Sequence, residues 1–156
     1  MFFMLVIFQQ GGEHGFKLKR SASIRLSPLV VLHMQASLFD SSKHSIKYYV
    51  VGPPEDPWKG VCLIDGHPVF GTDWELPLTG LDKAYLVVGS DTVNLDVSCM
   101  FNPWIDSADS KFFSLDDVEG GFVLTGNFSD GAGSYEAKWF ISHGTSVRIE
   151  LKKGEC

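Results

Sequence analysis

Residues 122–152 read FVLTGNF, SDGAGS, YEAKWFIS, HG, TSVRIELK, and this stretch decides the fold class. Apolar side chains recur at every second position in each of the three longer blocks: Phe122, Leu124 and Phe128; Tyr135, Ala137, Trp139 and Ile141; Val147, Ile149 and Leu151 against Arg148 and Glu150. Period two puts alternate side chains on opposite faces of a strand. The intervening Ser129–Ser134 and His143-Gly144 have turn composition. The block is therefore expected to be a three-stranded antiparallel meander with one apolar face per strand.

The same grammar extends upstream. Thr92–Phe101 alternates Val93, Leu95, Val97, Cys99 and Phe101 against Asn94, Asp96 and Ser98, which predicts one half-buried strand over the whole run. Ala84–Val88 is continuously apolar, as a central strand would be. Asp65-Gly66 between Val61–Ile64 and Pro68–Phe70 is the dipeptide favoured in a type I′ hairpin turn, where both residues need positive φ. Pro68 cannot donate to a ladder, so its arm is expected at an edge. His44–Val51 is β-branched and aromatic. Gly71–Gly80 and Asn102–Lys111 read as loops, and Ser114-Leu-Asp-Asp117 resembles a capping box that predicts one helical turn over 114–119. Pro28–Phe39 fits either a strand or a helix laid on a sheet. The expected class is mainly β, an antiparallel meander closed as a sandwich, a small barrel or a helix-backed sheet, with at most one or two short helices.

The 156 residues are enough for one core, and 44% hydrophobic content with 12 Phe and 4 Trp excludes a disordered chain. Residues 34–156 are read as the β-rich domain and 1–33 as an extension. Met1–Phe8 is too short to span a bilayer. The extension admits three readings: an upstream artefact if Met34 is the start, a signal-like segment with Leu26–Met34 as its apolar core cut near Ala36, or an edge strand at Phe2–Phe8. Three cysteines, Cys62, Cys99 and Cys156, without a CxxC pair favour a reducing, cytoplasmic setting, with secretion as the alternative if the signal-like segment acts as one. A Cys62–Cys99 bridge requires neighbouring strands.

Chemistry-bearing motifs do not emerge. The five histidines lack metal-ligand spacing. There is no nucleophile elbow and no phosphate-binding glycine loop. Asn127–Glu136 interleaves oxygen ligands with glycine but departs from the calcium-loop pattern and reads as a hairpin turn. The sequence thus points to no cofactor, no metal and no catalytic residue.

Charge is the stronger signal. The net charge is -6, yet residues 53–137 hold 15 Asp and Glu against Lys59, Lys83 and Lys111, and residues 1–33 hold four basic residues against Glu13. Such a balance argues against binding a nucleic-acid backbone and suits a basic partner. Asp106, Asp109, Asp116, Asp117 and Glu119 fall within 14 residues and run alongside Trp104, Phe112 and Phe113. Trp74 and Glu75, and Trp58 near Glu55 and Asp56, repeat the combination. Aromatic rings supply affinity at interfaces while charge supplies steering. The expected function is a small non-enzymatic binding protein that docks on a basic protein through Trp104, Asp106, Asp109, Asp116, Asp117, Glu119, Trp74 and Glu75. A nuclease, whose substrate groove is positive by necessity, is one such partner, and in size, charge and strand content the chain resembles bacterial toxin-neutralising immunity proteins. No motif carries that likeness. A sugar- or small-ligand-binding domain using the tryptophans, and an enzyme with a dispersed site, are the alternatives.

Overall fold

The computed structural model describes residues 19–153. Three antiparallel sheets account for the architecture. The first is built from β1 (Arg20–Ser27), β2 (Val30–Leu38), β6 (Thr79–Val88) and β7 (Asp91–Leu95), in the order β1-β2-β6-β7. The second joins β8 (Phe113–Val118), β9 (Gly121–Phe128), β10 (Tyr135–Ser142) and β11 (Thr145–Lys153), in the order β11-β10-β9-β8. A small third sheet of β3 (Ile46–Val51), β4 (Trp58–Ile64) and β5 (His67–Pro68) sits on the connection between β2 and β6. The only helical elements among the described residues are 3-10 turns of three residues each.

The two four-stranded sheets pack as a sandwich around one core. Leu32, Met34 and Leu86 from the first sheet meet Leu124, Tyr135 and Trp139 from the second, and all six are fully buried. Each such side chain removed from water contributes about 1.5–3 kcal/mol before entropy is counted. Polar ends inside this core are satisfied: Trp139 Nε1 donates to the Asp96 carbonyl at 2.8 Å, and Tyr135 Oη donates to the Phe101 carbonyl at 2.9 Å. The strand order of the 122–152 meander and the central position of Ala84–Val88 are as the sequence predicts. At the Asp65-Gly66 turn both residues have positive φ, 52° and 81°, and β5 with Pro68 is the sheet edge.

Other sequence-based expectations meet a different outcome. Of the two readings of Pro28–Phe39 the strand holds, as β2, and no helix backs a sheet there; residue 34 lies within this strand, whose Val30, Leu32 and Met34 are all buried. β1 likewise belongs to the domain through Ile24. The Phe2–Phe8 reading lies outside the described residues. The strand predicted over Thr92–Phe101 stops at Leu95. There Asp96 Oδ1 accepts from the Ser98 N–H and hydroxyl, a local turn that competes with the ladder, and Cys99 takes φ 62°.

The capping box at Ser114 is not a helix start, because Phe113 and Leu115 turn toward the core and pair residue for residue with β9 as strand β8. On β11 the apolar alternation does not mark a buried face. A bulge between Lys138 and Trp139 in the β10–β11 register leaves Ile149 without a partner, pairs Arg148 with Trp139 and swings Val147 outward. Val147 and Ile149 are consequently 61% and 55% exposed. Cys62 and Cys99 are free thiols.

Candidate interaction face

The loop 71–78, between β5 and β6, carries Trp74 and Glu75. Its conformation is set by one residue outside it, Asn102. The Asn102 Oδ1 accepts from the Leu78 N–H at 2.9 Å and the Thr79 N–H at 3.0 Å, while Nδ2 donates to the Gly71 carbonyl at 2.8 Å, so both ends of the loop are tied to one side chain. Asn102 has φ 43°, a region asparagine tolerates better than most residues. Gly71 is required where it stands: at φ 88° a Cβ would lie 2.0 Å from the Phe101 carbonyl oxygen. Midway, the Trp74 carbonyl accepts from the Val61 N–H at 2.7 Å and pins the loop to β4.

A second segment meets the first. Pro103 is buried, Trp104 projects with 50% of its surface exposed, and Ile105 anchors the following 3-10 turn in the core. Asp106 on that turn pairs with Arg20 of β1. Trp74 and Trp104 both occupy the left-handed region, at φ 64° and 52°. For bulky side chains this costs about 1–2 kcal/mol each, a strain that persists only where surrounding contacts impose it and that clusters at functional positions.

Between the two segments lies a cleft of about 750 Å³ bordered by Asp73, Glu75, Leu78, Trp104, Asp106 and Asp130. It continues past Asp73, Glu75 and Leu76 into a depression of about 590 Å³ that adds Tyr48, Trp58 and Trp74. At the opposite end Trp104 leads to a small hollow beside Phe112. Four carboxylates, of which Asp106 is paired with Arg20, thus surround a run of exposed rings and leucines, with Leu78 78% exposed. Arg20 and Lys59 are the basic residues in these linings.

Of the predicted site residues, the structure brings Trp74, Glu75, Trp104 and Asp106 to this one face. Asp109 is engaged locally: its Oδ1 accepts from the Lys111 N–H at 3.1 Å, which with the Ser110 contact holds its carboxyl below the usual range. Asp116 and Asp117 lie on β8, with Asp117 opposite Phe122 and about 13 Å along the strand from Phe113 at the Trp104 end. Glu119 follows in the β8–β9 turn. These three do not join the cleft. Asn102 and Tyr48 were not singled out from sequence, and Asp130 entered only as part of the Asn127–Glu136 turn. An asparagine ahead of Pro-Trp is a turn signal, but its reach to residues 71 and 78 is tertiary.

A larger cleft, about 1120 Å³, lies elsewhere, between the small sheet and the β7 end of the sandwich, and includes His44, Asp65, His67, Asp96, Cys99 and Arg148. Most of its charges are engaged with one another. His44 Nδ1 is 2.6 Å from Asp65 Oδ2, Arg148 is 3.2 Å from Asp96, and Lys43 is 2.8 Å from Asp40. Burial pushes the Cys99 thiol up, away from the reactive thiolate. Among the described residues no group of three or more His, Cys, Asp and Glu is placed to hold a metal ion. Likewise, no helix among them is long and apolar enough to cross a membrane. The internally paired cleft is a weaker candidate than the aromatic face.

Comparison with protein-family models, with curated proteins and with solved structures finds no match to this chain.

Proposed function

We propose that this protein is a non-enzymatic binding module that docks on a basic protein through the Trp74–Trp104 face. The observation that supports this most is the joining of Asp73, Glu75, Asp106 and Asp130 to Trp58, Trp74 and Trp104 along one continuous groove. Trp74 and Trp104 stand on backbone fixed in the left-handed region, which lowers the ordering cost of binding, and a focused negative field raises association rates toward about 10⁸ M⁻¹s⁻¹. A nuclease, whose substrate groove is positive, is a partner of fitting chemistry, and the carboxylates would then occupy phosphate positions. On this reading the protein is an inhibitor of the immunity type acting in the cytoplasm.

The test is affinity capture from the native cell with the wild-type chain and with an Asp73→Lys, Glu75→Lys variant. A basic partner retained by the first and released by the second supports the proposal. Equal capture by both would contradict it. The tryptophan groove also favours a second reading, sugar stacking; soluble oligosaccharide binding that is indifferent to salt would select it.

A further inference from the structure

We propose that the outward face of the first sheet binds an extended acidic peptide along a diagonal of basic side chains, Arg25, His33 and Lys83. This surface is separate from the Trp74–Trp104 face and does not rest on the docking reading above. The ladder registers define it. Lys83 on β6 stands opposite Gln35 on β2; in the next outward row His33 lies between Ser23 of β1 and Tyr85 of β6; in the third, Arg25 of β1 stands opposite Val31. The residues that alternate with these, among them Ile24, Leu32, Met34, Ala84 and Leu86, are buried in the core, so the rows face away from it.

The chain has net charge -6, yet no Asp or Glu falls in these three rows. Asp82, the extra residue of the β2–β6 bulge, lies beyond the Lys83 end and accepts from the Ser37 hydroxyl at 2.9 Å. Asp91 pairs with Val88 and so has the opposite parity. Among the described residues neither Arg25 nor Lys83 is held in an ion pair. Arg25 donates to the Pro28 carbonyl at 3.1 Å, and Lys83 lies over the Tyr85 ring. The outward charges of the second sheet, by contrast, neutralise one another, because Lys138 and Lys152 each bridge Glu136 and Glu150.

Spacing and chemistry select the occupant. One strand across and two residues along sets successive members of the diagonal about 8 Å apart, too far to share one anionic group. That step is close to the distance of about 7 Å between alternate side chains of an extended peptide, so carboxylates at every second position meet the three basic groups in turn. Tyr85 is already engaged by His33, stacked at 4.8 Å, and by Lys83, which disfavours stacking of a nucleic-acid base. Val31 and Val87 are half-buried, so no apolar side chain stands out for a bilayer. His33 makes the face responsive to acid. Burial holds its imidazole below the ordinary value, and the groups facing it from β1 and β6 are Ser23, Arg25, Lys83 and Tyr85. Protonation therefore adds a third positive charge that no carboxylate of the face offsets.

The probe is a capped ten-residue peptide of alternating aspartate and threonine, with asparagine replacing aspartate in the control, followed by NMR on the full chain. The aspartate peptide alone is expected to shift the resonances of residues 21–25, 33 and 83–85. An Arg25→Glu, Lys83→Glu variant should bind it about tenfold more weakly. Binding should be about threefold tighter at pH 5 than at pH 7.5, while the aspartates stay mostly ionised, and His33→Gln should abolish that gain. Binding unchanged by the double charge reversal, or absent at millimolar peptide, would overturn the proposal. Tighter binding of a ten-nucleotide thymidylate would assign the face to nucleic acid, and shifts that follow protein concentration alone would assign it to a second copy; either result rejects the acidic peptide.

Discussion

Replacing Asn102 with alanine removes four hydrogen bonds at once: those from the Leu78 N–H, the Thr79 N–H and, at 3.4 Å, the Thr79 hydroxyl, and the one to the Gly71 carbonyl. Each is worth about 0.5–1.5 kcal/mol net, and alanine at φ 43° adds strain that asparagine partly escapes. Leu78 is exposed and Thr79 only half-buried, so water recovers part of the loss. The expected destabilisation is about 2–3 kcal/mol, read as a lower urea midpoint at unchanged slope. Asn102→Asp keeps the acceptor for the two N–H groups but sets an oxygen against the Gly71 carbonyl, so its cost is expected to fall between wild type and alanine. Amide exchange at Leu78 and Thr79 should rise in Asn102→Ala more than in the sandwich strands. A loss below about 0.5 kcal/mol, or an aspartate variant worse than the alanine one, would refute the assignment of Asn102 as the tie that shapes this face.

Three further outcomes are expected. Val147→Lys should change stability by less than about 0.5 kcal/mol in denaturant titration, because the β11 bulge turns Val147 to solvent; a loss of 2 kcal/mol or more would restore the buried face read from alternation. Thermal melts should show stability falling with acid in two stages. Burial holds His33 below its ordinary imidazole value, so stability declines first as pH drops through that range. The lowered carboxyls of Asp65, Asp96, Asp109 and Glu150, and of Asp40 at about 2, contribute above the ordinary carboxylate range and lose this as they protonate; flat melting temperatures from pH 7 to 3 would contradict it. Cys99 in the native protein should alkylate at least tenfold slower at pH 8 than a free thiol, by mass spectrometry of its peptide, and fast labelling would contradict its burial-raised pKa.

What could be read from the chain and what could not divides by range of interaction. The Asp65-Gly66 hairpin and the 122–152 meander were legible because turn chemistry and period two act between neighbours. Asp96 shows the limit: its side chain caps its own turn at Ser98 and ends a strand that the apolar pattern would continue to Phe101. The bulge at Ile149 inverts a face with no change in the pattern itself. Ser114 followed by Asp117 satisfies a helix-start rule, yet pairing with β9 prevails over that local preference. At the candidate site, Trp74, Glu75, Trp104 and Asp106 could be nominated from composition. Their meeting could not, since it depends on Asn102 reaching 31 residues back to Gly71. The same ignorance of topology grouped Asp116, Asp117 and Glu119 with Trp104, though β8 carries them away from it.

The central claim is that the carboxylates beside Trp74 and Trp104 steer a cationic protein. Stopped-flow association with the captured partner, run from about 50 to 500 mM salt, tests it most directly, since a Debye length falls from about 14 to 4 Å across that range. Wild-type association should slow by more than tenfold as salt rises, and the Asp73→Lys, Glu75→Lys variant should start slow and converge on the same high-salt rate. Rates that are independent of salt, or equal for the two proteins at low salt, would contradict the account.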